Sequence, residues 1–210
     1  LEPEGTVLIT GGTGGLGQQV ARHLVSAHGV RRLLLVSRRG MASPGAEEQK
    51  EELEGLGAAV TVASCDVSDR EALREVLSAV DPAHPLTAVV HTAGGVDDGL
   101  LPSLTPERLA AVLRPKVDGA VHLHELTRGE DLRLFVLFSS AAGALGNPGQ
   151  GNYGAANVFL DTLAAQRQAQ GQPGTSLAWG PWSGEGMAAQ LAPADLARMR
   201  KQGMLPLEPG

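Results

Sequence analysis

The sequence predicts an α/β fold in which helices cover both faces of a doubly wound parallel sheet. Six short apolar runs alternate with helical stretches along the 210 residues. Parallel neighbours need crossover connections of about a dozen residues or more, and the intervening stretches have that length. The first run also ends in a cluster of glycines that leads into an amphipathic helix. This strand, glycine loop and helix form the usual beginning of a nucleotide-binding domain.

The predicted strands are short and apolar, as is typical of strands buried on both faces. They cover residues 6–10, 33–37, 60–65, 87–92, 132–139 and 176–179. After the first strand, Leu16, Val20 and Leu24 recur on one face of a helix. Gly29 follows where a C-terminal cap belongs.

The later helices are recognised by their end signals. They are predicted over residues 45–56, 68–80, 105–126 and 150–169. The helix at 45–56 is highly charged, which favours an exposed position. Ser68 and Glu71 match a capping box, and Thr105 with Pro106 is a typical helix start.

We expect one domain in two parts, since no internal repeat or linker divides the chain. Residues 1–182 form the nucleotide-binding catalytic part. Residues 183–210 have helical periodicity but no following strand, so we expect a lid over the site and an incomplete C-terminal end.

Composition excludes several classes of function. The net charge is −6 without a basic stripe, which argues against nucleic acid as a partner. The apolar runs are far shorter than the about 20 residues of a membrane span, and no signal peptide opens the chain. The single cysteine, Cys65, forms no internal disulfide, which favours a reducing cytoplasm. His122 and His124 point in different directions on a helix, so no metal site is predicted.

The glycine loop predicts a dinucleotide site. Glycines let the backbone approach a pyrophosphate, whose charge is met by amides at the helix N-terminus. The alternative is a tight strand-to-helix turn without a ligand. The candidate residues are Thr10, Gly11, Gly12, Thr13, Gly14, Gly15, Leu16 and Gly17.

The end of the second strand indicates which dinucleotide binds. NAD sites usually place an acid there, but this chain has Ser37, Arg38 and Arg39, with no acid before Glu47. Guanidinium groups suit a 2′-phosphate, so we expect NADPH. The alternative is a pair of solvated surface arginines.

Two further turns are candidates for cofactor contact. Asp66 and Val67 follow the third strand, where the adenine is expected. His91, Ala93 and Gly94 follow or end the fourth strand, on the nicotinamide side. Ordinary turn chemistry is the alternative for both.

A catalytic group is predicted around the only tyrosine. Tyr153 and Asn157 are one helical turn apart and share a face, and Ser140 arrives at the end of a strand. A phenol can donate the proton that a ketone needs as hydride is added, provided that a cation lowers its pKa. Lys116, in the long helix, is the candidate cation. The alternatives are a packed tyrosine, a capping serine and a solvated lysine.

In these motifs the chain resembles the ketoreductase domains of modular type I polyketide synthases, within the short-chain dehydrogenase/reductase superfamily of Rossmann folds. Most of that superfamily carry Tyr-x-x-x-Lys, whereas this family exchanges the lysine and the asparagine, as here with Lys116 and Asn157. The resemblance implies NADPH-dependent reduction of a β-ketoacyl thioester carried on an acyl carrier protein. The alternatives are a reductively silent NADPH-binding domain with a structural or epimerase role, and a free-standing reductase of small ketones.

The resemblance also implies a stereochemical class. B-type members carry Leu-Asp-Asp, a proline and an asparagine at positions that correspond here to Val96, Asp97, Asp98, Pro148 and Asn152. Valine in place of leucine is a departure from the pattern. Leu145 stands where A-type members have tryptophan, and Ala155 stands where a proline marks epimerised 2-methyl substrates. We therefore expect a B1-type enzyme that forms a D-configured (usually 3R) hydroxyl.

The family's domains also contain an N-terminal structural half without the cofactor loop. That half and the final strand and helix of the catalytic half are not in this sequence. We therefore expect either an excised catalytic subdomain, with the structural half as its partner, or an incompletely covered stretch of the domain.

Overall fold

All six predicted strands form, and they lie in one parallel sheet. The computed structural model describes residues 2, 4–182, 203 and 205–207. The strands are β1 Thr6–Thr10, β2 Arg32–Ser37, β3 Ala59–Ser64, β4 Leu86–His91, β5 Leu134–Ser140 and β6 Thr175–Trp179. Each strand begins and ends within two residues of its predicted bounds.

The sheet order β3-β2-β1-β4-β5-β6 makes the fold doubly wound. The central strand, β1, pairs with β2 on one side and with β4 on the other. The connections leave β1 and β4 in opposite directions, so a crevice opens beyond their carboxyl ends. The predicted fold class is therefore confirmed, and the crevice defines where a ligand belongs.

Helices cover both faces of this sheet. They are α1 Gly15–His28, α2 Ala46–Gly55, α3 Arg70–Ser78, α4 Pro106–Leu113, α5 Gly119–Leu126, α6 Ala141–Leu145 and α7 Gly151–Ala169. Alternate residues of β1 point to opposite faces, so Leu8 lies in one apolar core while Val7 and Ile9 lie in the other. Burial on both faces explains the uninterrupted apolar character of the strands.

Two predictions about helix ends and faces need correction. The capping box at Ser68 is wrong, since the Asp69 carboxylate accepts hydrogen bonds from the Glu71 and Ala72 amides and caps α3. The Ser68 hydroxyl instead donates to Asp66, 2.7 Å away. The charged helix α2 is also less exposed than predicted, because it buries Gln49 and two apolar residues against α1 and β3.

The long helix predicted from residue 105 to 126 contains a π-helical turn. Thr105 caps α4 as expected, and a wider turn, Arg114–Asp118, joins α4 to α5. Pro115 has no amide hydrogen to bond the preceding turn, which favours the irregularity. Lys116 lies in this turn and is buried.

The predicted lid and tail, residues 183–210, lie outside the described residues except for Gly203 and 205–207. The Leu207 amide donates to the Pro181 carbonyl at 2.7 Å. Among the helices of the described ranges, none has the length and apolar character needed to span a bilayer.

Candidate active site

The glycine loop closes tightly on itself and on the start of α1. Gly11 has φ of +68°, a conformation that favours glycine, and its carbonyl accepts the Gly14 amide at 2.9 Å. A Cβ on Gly12 would lie 2.8 Å from the Ile9 carbonyl oxygen, and one on Gly17 would collide with the Gly11 carbonyl. These glycines are therefore required for the turn, whether or not a ligand is bound.

The N-terminal end of α1, beside this loop, can bind an anion. Gly14, the N-cap residue, provides no side-chain hydrogen bond, and the first turn contains no acid. The first amides of a helix have no intrahelical acceptor, so those at residues 15–17 remain available to a ligand. The loop therefore fits the pyrophosphate of a dinucleotide.

Two polar side chains brace the loop from behind. The Thr13 hydroxyl is buried and donates to Ser43 at 3.0 Å, so Thr13 supports the loop with its side chain. Gln49 donates to the Gly12 carbonyl at 2.9 Å. The sequence analysis missed Gln49, because its charged neighbours in α2 indicated an exposed helix.

The predicted adenosine end of the site brings together β2 and β3. Arg38 and Arg39 are exposed after β2, and the Arg38 carbonyl accepts the Ser64 hydroxyl at 2.9 Å. Burial acts to raise the pKa of Asp66, but hydrogen bonds from Ser68 and the charges of Arg114 and Arg38 lower it overall. Asp66 is therefore a carboxylate among cations. Ser37 is less available, because its hydroxyl accepts the Gly40 amide.

His91 lies beneath the cleft rather than along it. Its side chain is 1% exposed, and its ring contacts the Thr10 hydroxyl at 2.6 Å and the Lys116 carbonyl at 3.3 Å. Burial and then the charge of Lys116 lower its pKa to about 3, so the ring is neutral. A carbonyl only accepts, so Nε2 donates to Lys116 and Nδ1 accepts from Thr10. His91 thus joins the cofactor loop to the π-helical turn.

Ala93 and Gly94, the other residues predicted for the nicotinamide side, lie close to Gly11 and Lys116 respectively. The Ala93 backbone lies against Gly11, where a Cβ would come within 2.9 Å of its amide nitrogen. A Cβ on Gly94 would lie 2.9 Å from Cε of Lys116. Gly94 therefore leaves room for the lysine to reach the site.

The four predicted catalytic residues come together at the carboxyl end of β5. Lys116, 3% exposed, donates from Nζ to the Phe138 carbonyl at 2.8 Å and to Oδ1 of Asn157 at 3.0 Å. Asn157 in turn donates to the Tyr153 carbonyl at 2.8 Å, across one turn of α7. Burial lowers the pKa of Lys116 to about 8.

Tyr153 is 7% exposed and lies beside the lysine, with Nζ 5.3 Å from the centre of its ring. Burial raises the pKa of Tyr153, and hydrogen bonds with Ser140 and Asn157 only partly offset that effect. The expected lowering of the phenol pKa is therefore wrong as a net direction, because the loss of hydration outweighs the polar neighbours. The phenol is protonated at neutral pH, as a proton donor must be.

Ser140, not Ser139, faces the cleft. Ser140 is partly exposed, and its hydroxyl accepts the Ala142 amide at 3.2 Å, which caps α6. Ser139 is buried and donates to the Asn157 carbonyl. The capping alternative for Ser140 is thus also real, and it orients the hydroxyl toward Tyr153.

The five predicted substrate-orienting residues lie in two segments, the loop after β4 and the stretch that leads into the first turn of α7. Val96 and Asp98 are exposed beyond β4, Pro148 is exposed before α7, and Asn152 is buried. Asn152 donates to the Asp97 carbonyl at 2.9 Å, so the loop after β4 is bonded directly to the first turn of α7.

The histidines of α5 have structural partners. His122 donates to the Val67 carbonyl at 3.1 Å, which holds the turn after β3, while His124 contacts Arg167. In the part of the chain that the structure describes, no three histidine, cysteine or acidic side chains are grouped to hold a metal ion.

The fold and the candidate site match those expected of a dinucleotide-dependent reductase of the short-chain type. The sequence pattern of the KR domain matches residues 5–184. Polyketide synthase GfsB of Streptomyces halstedii is 60% identical over 209 residues, which are 99% of this chain and 4% of that protein. Spectinabilin polyketide synthase system protein NorB of Streptomyces orinoci is 58% identical over 205 residues, 97% of this chain and 9% of NorB.

A solved structure described as A-type ketoreductases from a modular polyketide synthase superposes with a TM-score of 0.91. It is 48% identical and covers 99% of this chain, which spans 44% of that structure. The chain belongs to the KR domain family, the nicotinamide-dependent ketoreductases of modular polyketide synthases. It spans less than a tenth of the length of the two synthases above.

Proposed function

We propose that this chain reduces a β-ketoacyl thioester on an acyl carrier protein, with NADPH as reductant, to a D-configured (usually 3R) β-hydroxyacyl thioester. The observation that supports it best is the bonded series Lys116, Asn157 and Tyr153, with Ser140 beside the phenol. The reductively silent alternative has no feature of the described site in its favour, since all four positions are filled and in contact.

Each of the four residues has its own role in the proposed reaction. When bound, the reduced nicotinamide supplies the hydride. The Ser140 hydroxyl orients the ketone oxygen, and the Tyr153 phenol donates the proton to the oxygen as negative charge develops there. The ammonium group of Lys116, 5.3 Å from the ring centre, stabilises the phenolate that remains. Asn157 holds that ammonium group toward the tyrosine.

The preference for NADPH rests on charge at the end of β2. Arg38 and Arg39 are both exposed there, and the first acid after them is Glu47, in α2. Two guanidinium groups favour a 2′-phosphate over a 2′-hydroxyl. The nearby Asp66 faces the same region and is available to the adenine.

The proposed D configuration rests on the two substrate-orienting segments and on positions 145 and 155. Leu145, at the end of α6, is exposed near the cleft where A-type members have tryptophan, and Ala155 lies on the exposed side of α7. An A-type structure superposes on this chain with a TM-score of 0.91, so the backbone fold alone does not set the stereochemical class, and the proposal assigns facial selectivity to side chains near the cleft. A preference of about 1.4 kcal/mol between two poses already gives tenfold selectivity.

The carrier-bound substrate and the family's N-terminal structural half are the proposed partners, since this chain spans less than a tenth of the length of the similar polyketide synthases. A cytoplasmic location is part of the proposal. It agrees with the one cysteine, Cys65, whose pKa is raised to about 11 by burial and nearby aspartates, so that it is an unreactive thiol.

The test is Tyr153→Phe, which removes the hydroxyl and keeps the ring. Reduction of a β-ketoacyl thioester should fall by about 10²–10⁴, the usual contribution of a general acid, while NADPH binding stays within about twofold. Chiral chromatography of the wild-type product should show the D-hydroxy thioester. Near-normal turnover in the variant would refute the catalytic assignment, and an L product would refute the B-type assignment.

A further inference from the structure

We propose that Arg108, on α4, is the positioning residue that holds the substrate-orienting loop at residues 96–98 and thereby sets facial selectivity. The inference rests on the proposed function. It concerns a residue that the sequence analysis did not select, because a single arginine in the first turn of a helix has no distinctive pattern.

The guanidinium group of Arg108 binds the loop at several points. Nε and Nη2 donate to Oδ1 of Asp97 at 2.9 and 2.6 Å, and Nη2 also donates to the Asp98 carbonyl at 2.6 Å. Nη1 donates to the Ser103 carbonyl at 3.0 Å, which ties in the next segment of chain. The planar fork of arginine suits such simultaneous bonds, and lysine does not reproduce it.

Glycine at position 99 makes this contact possible. A Cβ at Gly99 would lie 2.7 Å from Nη1 and 2.9 Å from Nη2 of Arg108. The guanidinium group therefore lies close to Gly99 and is only partly exposed to solvent. The Thr105 hydroxyl accepts a hydrogen bond from the Arg108 amide. This contact fixes the start of α4, the helix that carries Arg108.

The Asp97 carboxylate is committed to this arginine. Its side chain is 36% exposed and that of Arg108 is 31% exposed, so the pair lies at the rim of the cleft. Hydrogen bonding to Arg108 lowers the pKa of Asp97, so the carboxylate stays charged at neutral pH. We infer that Asp97 acts on the substrate through the shape of the loop, not by touching the acyl chain.

The same loop is bonded to the segment before the catalytic helix. The Gly99 amide donates to the Gly149 carbonyl at 2.7 Å, and Gln150 donates to Oδ2 of Asp98 at 2.9 Å. Asn152, whose side chain is buried, donates to the Asp97 carbonyl and accepts the Tyr153 amide. Asn152 thus connects the loop held by Arg108 to the backbone of Tyr153, the proposed proton donor.

Arg108 has no hydrogen bond to any of the four catalytic residues in the described part of the structure. Its loss should therefore loosen the wall that separates the two substrate poses and leave the proton donor intact. We expect Arg108→Gln to keep kcat within about threefold and to lower the ratio of the two hydroxy enantiomers at least tenfold, the change that about 1.4 kcal/mol produces.

The experiment compares enantiomer ratios for wild type, Arg108→Gln and Arg108→Lys with a β-ketoacyl thioester and NADPH. Arg74→Gln is the matched control, because Arg74 is also an ion-paired helical arginine but lies on α3, bonded to Glu71. The control should keep the wild-type ratio. Arg108→Lys should not restore it, because a lysine keeps the charge and loses the fork.

Asp97→Asn and the double variant complete the test. If Arg108 acts through Asp97, the double variant is no less selective than the worse single one. An unchanged ratio in Arg108→Gln, or additive losses in the double variant, would overturn the inference. The ratio reports on Arg108 whichever enantiomer the wild type makes, so an L product would refute the proposed configuration without deciding this inference.

Discussion

The buried lysine offers a quantitative test of the site through stability as well as activity. Lys116 is almost fully buried, and burial lowers its pKa from 10.5 to about 8. We consider Lys116→Met, which keeps the length of the side chain and removes the charge. Besides impairing reduction, this change should alter how the free energy of unfolding depends on pH.

The sign follows from proton binding in the two states. Between pH 8 and 10.5 the lysine is mostly neutral in the folded chain and still protonated in the unfolded chain. The unfolded state then binds more protons, so the free energy of unfolding rises with pH in this window. Below pH 8 the cost of burying the charge is fully present. At about 1.36 kcal/mol per pKa unit, losing this charge raises the free energy of unfolding by about 3 kcal/mol.

The assay is urea unfolding of wild type and Lys116→Met at several pH values from 7 to 10.5. The difference in unfolding free energy, wild type minus variant, should rise by about 3 kcal/mol across that range, because other titrating groups cancel in the difference. Lys50→Met, which removes a lysine ion-paired with Glu54 on α2, is the control for losing a lysine. A flat or falling difference for Lys116→Met would refute the assignment of a buried, charged lysine.

Two further predictions concern the cofactor. Arg38→Ala and Arg39→Ala should each weaken NADPH binding by about 1.5–3 kcal/mol, with little effect on NADH, as measured by fluorescence titration; equal wild-type affinity for both cofactors would contradict this. Gly17→Ala should lower NADPH affinity at least tenfold and destabilise the fold by about 1–3 kcal/mol, because its Cβ collides with the Gly11 carbonyl. Gly55→Ala is the matched control, since a Cβ there meets nothing within 4 Å, and if both variants behaved alike the collision would not be the cause.

The local features of the site could be predicted because each depends on residues close together in sequence. The loop from Gly11 to Gly17 needs glycine for its own turn, and a helix places Tyr153 and Asn157 on one face by its period alone. The cap of α3 shows the limit of such reasoning. Ser68 and Asp69 both precede the helix, and only the backbone path shows that the carboxylate of Asp69, not the hydroxyl, reaches the free amides.

The sequence by itself predicted the six strands and their alternation with helices, which the structure confirms, and it selected the glycine loop and the four candidate catalytic residues. Only the tertiary structure determines which of these residues contact one another and how buried they are. Lys116 reaches Asn157, 41 residues away, only because a π-helical turn and the space beside Gly94 direct it inward. Burial sets the protonation of that lysine, and Arg108 bonds to a loop that no periodic pattern relates to it. Such effects depend on distances between segments remote in sequence and on loss of water, which local spacing does not encode.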